Sequence, residues 1–138
     1  MRRTTLAFAV AAPTLLLAQF AFAATPDDLL SEIDAEVRQY IPGFAGFSAE
    51  RGERFFKASR SPERNCTSCH THNPAAAGRH AESGQYIAPL APAANPQRLS
   101  SADRVEKLFQ HNCREVLMRN CTAVEKGDFI AYLRSLDK

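Results

Sequence analysis

Cys66-Thr67-Ser68-Cys69-His70 places two thiols three residues apart and an imidazole directly after the second. The pattern C-x-x-C-H is the attachment sequence for haem of the c type. Its two thiols form thioethers with two vinyl groups, and its histidine then lies under the iron as an axial ligand. A thioredoxin-like redox pair needs a β-α-β context, which the surrounding residues lack. A zinc site needs a second ligand pair at suitable spacing, for which Cys113 and Cys121 are a poor match. One covalent haem c is therefore the expected cofactor, bound through Cys66 and Cys69, with His70 as a metal ligand.

Working outward, residues 61–99 hold most of the Pro and Asn. Such a stretch is longer than loops normally are in compact domains, and a haem would organise it. On either side the pattern is helical. Thr25-Pro26-Asp27-Asp28 is a start signal of cap, proline and first-turn acids. Leu29, Leu30, Ile33, Val37 and Tyr40 follow at helical spacing, and Pro42-Gly43 ends the run. Ser48 caps a second helix over about residues 49–59, with Gly52 and Phe56 on one face. Glycine in a helix interior costs about 1 kcal/mol relative to alanine, which is worthwhile where another helix must come close. Ser100 or Ser101 caps a third helix with Val105, Leu108 and Phe109 as its stripe. Thr122 and Glu125 form a capping box before a last helix carrying Phe129, Ile130, Leu133 and Leu136. Alternating patterns are scarce, so the fold class is all-α.

The chain has 138 residues. Met1-Arg2-Arg3, the apolar run Leu6–Phe20 and Ala21-Phe22-Ala23 read as a secretory signal peptide over residues 1–23. The expected mature protein is a single domain, residues 24–138, in the periplasm, where c-type haem and a disulfide both suit an oxidising compartment. Without Arg2 and Arg3 the 17 Lys and Arg fall to 15, equal to the 15 Asp and Glu. That balance argues against a nucleic-acid partner.

From the residues alone, the ligand opposite His70 stays open. Met118 is the methionine left after cleavage, and a thioether is a known haem-iron ligand opposite histidine, one that raises the potential. Its bland role is to fill a core gap on a helix. His111 is a second candidate and otherwise a partly exposed helical histidine. Asn112 is otherwise a helix C-cap. His72 and His80 are expected at the surface. Arg98 or Arg79 suits a haem propionate, because guanidinium matches carboxylate.

Gly52-x-x-x-Phe56, C-x-x-C-H, Pro89-Leu90 and the late aromatic Tyr132 resemble the class I cytochrome c pattern. That resemblance implies a class I cytochrome c fold with an added N-terminal helix. It also implies a Pro89 carbonyl that steadies His70. Ile87-Ala88-Pro89-Leu90-Ala91-Pro92-Ala93-Ala94-Asn95-Pro96, Val105-Glu106-Lys107, His111-Asn112-Cys113 and Cys121-Thr122 resemble the SHP family of oxygen-binding monohaem cytochromes c. This closer resemblance implies Asn112 as the distal ligand, lost on reduction, and a Cys113–Cys121 disulfide beside it. Four cysteines, two of them on haem, agree with that pairing. The closed loop would stabilise the fold by about 2.6 kcal/mol in the chain-entropy picture. The family's usual tryptophan is missing, since the sequence has no Trp.

The expected function is that of a periplasmic cytochrome that accepts electrons and binds a diatomic ligand, O2 or NO. The resemblance implies a di-haem cytochrome c and a membrane b-type cytochrome as redox partners. One rival is a plain electron carrier with His70 and Met118 as permanent ligands. Another is a haem enzyme acting on oxygen, peroxide or nitric oxide. A peroxidase normally needs a distal acid–base pair, and in the sequence His111 has no evident partner.

Overall fold

A computed structural model describes residues 23–58 and 65–136. The expected signal peptide therefore lies, apart from Ala23, outside the described residues, as does the expected end of the second helix at residue 59. The order is α1 (Pro26–Tyr40), α2 (Ala49–Lys57), α3 (Cys66–His70), β1 (Gly78–Arg79), β2 (Tyr86–Ile87), α4 (Ala102–Leu117) and α5 (Ala123–Ser135). The strands form one small antiparallel ladder, Gly78 with Ile87 and Arg79 with Tyr86. The fold is all-α apart from that hairpin.

The starts of the helices follow their sequence signals. Thr25 caps α1 in a capping box with Asp28, Ser48 caps α2, Ser101 caps α4, and Thr122 with Glu125 caps α5. Each cap oxygen satisfies an N–H that the first helical turn leaves unpaired. Tyr40 departs from expectation. It ends α1 and is 78% exposed, because the helix outruns the surface on which Leu29 and Val37 are buried.

α5 is the hub, packing against both α2 and α1. It buries residues around much of its circumference, among them Gly127, Ile130, Tyr132 and Leu133. A Cβ on Gly52 would collide with the backbone carbonyl of Asp128 and come within 2.8 Å of the Tyr132 Cβ. The two helices therefore cross backbone to backbone, which is what a glycine inside α2 is for. The crossing is clasped by Asp128, a carboxylate that the apolar pattern of α5 gave no reason to expect in the interior. It accepts from the Ser48 N–H at 2.7 Å and from Arg51 Nε and Nη2 at 2.7 and 2.8 Å. Phe56, fully buried, then stacks on Phe129 with ring centroids 5.9 Å apart.

α4 is held differently. It makes no broad backbone approach to another element, and side chains tether it to α5 and the turn before it. Val105 enters the core, and the Phe109 ring meets Phe129 edge-on at 5.9 Å. Lys126 donates to both Glu106 oxygens at 2.9 and 2.6 Å, and Cys113 is bonded to Cys121. The tethers leave a gap on the inner side of α4.

Two outcomes follow from this packing. Gly52→Ala should lower stability to urea by about 1–3 kcal/mol, because over-packing outweighs the roughly 1 kcal/mol gained in helix propensity. Lys126 and Gln110 hold the Glu106 carboxylate below its ordinary 4.5. A depressed carboxylate contributes stability above its unfolded-state pKa and loses it as pH falls through the folded-state value. Thermal unfolding should therefore show Glu106→Gln less stable than the parent at neutral pH, with the difference closing as acid protonates Glu106.

Candidate haem site

The attachment motif is itself a helix, and its cap is a residue that the sequence reading passed over. Asn65 Oδ1 accepts from the Ser68 N–H at 2.8 Å and from the Thr67 hydroxyl at 2.6 Å. This fixes one helical turn, so Cys66 and Cys69, three apart, share a side of it. After His70 the chain reverses through Thr71, whose φ of 59° is unusual for a β-branched residue. The Thr71 hydroxyl secures the turn by donating to the Asn73 carbonyl and accepting its N–H, both at 3.1 Å. A Cβ on Gly78 would strike the carbonyl of Cys69, so β1 presses on the motif where only glycine fits. The Ala81 N–H reaches Cys69 Sγ at 3.2 Å.

The gap under α4 is a cavity of about 410 Å³ whose walls include Cys66, Cys69, His70 and Asn112. Phe55, Phe56, Phe109 and Phe129 supply much of its apolar lining. A ring-sized apolar slot with a few convergent polar groups is what a planar, largely hydrophobic cofactor needs. The chemistry of the donors fits haem better than zinc or a redox pair. Burial pushes the Cys66 thiol up, away from the thiolate that metal binding or disulfide exchange requires. Burial, with the Arg98 charge as a smaller cause, pulls His70 down to about 4. Its imidazole is therefore neutral near pH 7, the form that ligates a metal.

Of the three candidates opposite His70, Asn112 borders the cavity and the other two do not. Met118 caps the end of α4 in the left-handed conformation, φ 58°, with its side chain in solvent at 82% exposure. The His111 side chain is 74% exposed, with Nε2 3.4 Å from Glu115 Oε2. It thus has a partner after all, one helical turn on. Cys113 and Cys121 are both buried and bonded to each other, next to Asn112.

The loop over residues 71–100 is organised by the protein as well as by any cofactor. The buried Pro74 accepts from the Leu90 and Ala91 N–H groups at 2.8 and 3.1 Å. The Pro89 carbonyl, expected to steady His70, has donors of its own. The Pro89 carbonyl accepts from Asn95 Nδ2 at 3.0 Å and Arg98 Nε at 3.3 Å, and Arg98 Nη2 donates to Ala88 at 2.8 Å. Two donors occupy the two lone pairs of that oxygen. Pro89 is joined to the His70 surroundings through half-buried Arg98, whose guanidinium serves these carbonyls. Arg79 instead donates to the Gly84 carbonyl at 3.3 Å within the hairpin. His72 is exposed as expected, whereas His80 is half-buried on the cavity wall. The i, i+4 spacing of His111 and Glu115 was the one sequence sign of polar groups gathered here. Nothing in the sequence connected them to His80. Arg98→Leu should cost about 1–3 kcal/mol in urea unfolding, the penalty for carbonyls left short of donors, with the helices retained by far-ultraviolet circular dichroism.

Residues 42–133 match the family described as "Domain of unknown function (DUF1924)". The chain is 38% identical over 109 residues to the cytochrome c-type protein SHP of Cereibacter sphaeroides, which covers 72% of this chain and 84% of that one. It is 44% identical over 80 residues to cytochrome c'' of Methylophilus methylotrophus, 58% of this chain and 56% of that one. The chain thus spans little more than half the length of that relative. Two solved structures superpose well. Oxidised SHP, an oxygen-binding cytochrome c, gives a TM-score of 0.73 at 35% identity, covering 82% of this chain and 98% of its own. Oxidised cytochrome c'' from M. methylotrophus gives 0.71 at 34% identity, covering 80% and 93%.

Proposed function

We propose that this chain, which belongs to the family of cytochrome c'' and SHP, accepts electrons and binds a small diatomic molecule, O2 or NO, at a haem whose distal side is governed by Asn112. The chain is a c-type cytochrome, and its cofactor is covalently bound haem c. One observation carries the reading of the distal side. Across the cavity that also bears Cys66, Cys69 and His70, the candidate present is Asn112, while Met118 faces solvent.

When bound, haem c would supply a redox-active iron. Cys66 and Cys69 would hold the macrocycle through thioethers, and His70, neutral and half-buried, would offer its imidazole nitrogen to the iron. Asn112 would offer a neutral amide oxygen. Such an oxygen is a hard, weak donor, suited to the oxidised metal and released by the softer reduced one. Once withdrawn, the amide N–H can donate a hydrogen bond to the entering ligand. Cys113, bonded to Cys121, sits next in the chain and limits how far Asn112 travels. Pro89, bonded to Arg98, steadies the loop on the proximal side.

The parallel with SHP, whose structure is described as that of an oxygen-binding cytochrome c, supports gas binding. The solution structure of cytochrome c'' is described in terms of haem-ligand detachment, which supports a displaceable ligand. The export signal in the sequence supports a periplasmic location, with a di-haem cytochrome c and a membrane b-type cytochrome as electron partners. Among the described residues no helix is long and apolar enough to cross a membrane.

Optical spectra of the mature holoprotein test the reading. The oxidised form should be low-spin, and dithionite should turn it high-spin and able to bind carbon monoxide. Asn112→Ala should make the oxidised form high-spin, while Met118→Leu should change neither spectrum. A reduced form that stays low-spin and ignores carbon monoxide would point instead to a permanent strong ligand and a plain electron carrier.

A further inference from the structure

α4 carries Asn112, and the tethers already described fasten this helix to α5 and the turn before it. The hairpin segment lines the same cavity, and one of its side chains meets one from α4. His80 Nε2 lies 3.7 Å from Glu115 Oε1, and both residues line the cavity with Asn112. Glu115 follows Asn112 by three residues, so both occupy one face of α4. Whatever holds Glu115 also holds the face that presents Asn112.

Both partners are oriented before they meet. His80 Nδ1 accepts the Ser83 N–H at 3.2 Å. The Nδ1 lone pair is thus in use, which places the ring proton on Nε2, the nitrogen aimed at Glu115. The other Glu115 oxygen, Oε2, faces His111 Nε2 at 3.4 Å on the same helix. The carboxylate therefore stands between two imidazoles, one from α4 and one from the hairpin. At 3.7 Å the His80 contact exceeds direct hydrogen-bond length, and a small shift of either side chain closes it.

We infer that His80 and Glu115 are positioning residues for the distal side, a polar clasp that holds α4 to the hairpin at the cavity and sets how readily Asn112 lets go. The inference rests on the reading of Asn112 as distal ligand. With the clasp intact, the face bearing Asn112 is held towards the cavity from the hairpin side as well. Without it, the C-terminal half of α4 is restrained from the α5 side alone. Asn112 then holds less firmly in the oxidised protein, and a small ligand enters the reduced protein faster.

The test uses the mature holoprotein, with carbon monoxide as probe. His80→Ala and Glu115→Ala should each raise the high-spin fraction of the oxidised form and speed carbon monoxide association to the reduced form by about two- to fivefold, the range of a partly exposed ion pair. The double variant should exceed neither single one, because both remove the same contact. His80→Gln, whose amide N–H can still reach the carboxylate, should return both readouts towards the parent; a simple loss of packing would not be rescued so. Unchanged spin state and rate in both alanine variants, or additive effects in the double one, would overturn the inference. An Asn112→Ala control separates the two readings. If it alters the oxidised spectrum while the clasp variants do not, the clasp alone is refuted. If its spectrum matches the parent, the Asn112 reading falls and the clasp with it.

Discussion

The crossing of α2 over α5 is the contact on which the rest of the molecule depends. Gly52 lets the two backbones meet at Asp128 and Tyr132, a distance no side chain at position 52 would allow. Arg51 and the Ser48 N–H then close on the Asp128 carboxylate. Burying a carboxylate is costly unless its charge and lone pairs are met, and here a guanidinium and a backbone amide meet them. The result is a rigid corner from which Phe56 and Phe129 present the inner wall of the cavity.

Everything on the other side of that wall is arranged around a space rather than around a contact. α4 is kept from collapsing onto α2 by the tethers that place it: a disulfide, the Glu106–Lys126 pair and the Phe109 ring on Phe129. A fold that filled this gap with its own side chains would leave no room for a macrocycle. Side-chain tethers are also more yielding than a backbone crossing. The helix proposed to release a ligand is thus the one joined by side chains rather than by a backbone crossing.

The proximal side is built for the opposite purpose. Asn65 caps the motif, Gly78 lets β1 press against it, and Thr71 turns the chain immediately after His70. Arg98 and Asn95 hold the Pro89 carbonyl, while Pro74 gathers the start of the next segment. The proposed proximal ligand thus rests on closely bonded backbone and the proposed distal one on a tethered helix. This asymmetry matches the functional division proposed for them.

By itself the sequence determined what depends on neighbours along the chain. The Cys66–His70 motif, the caps at Thr25, Ser48 and Thr122, and the periodic stripes of α1, α4 and α5 are local signals, because thioether spacing, N-capping and helical period act within a few residues. Gly52 and Tyr132 were also legible, as a glycine that a helix would not otherwise keep and an aromatic in the last helix. Tertiary structure alone decided how these parts face each other. It placed Asn112 on the cavity while turning Met118 outward, since residues near the end of one helix differ in direction by an angle that its packing fixes. It gave the Pro89 carbonyl to Asn95 and Arg98, took Asp128 inside, and brought His80 to Glu115. Each of these joins groups distant in the chain or chooses among competing donors, and periodicity carries no record of such choices.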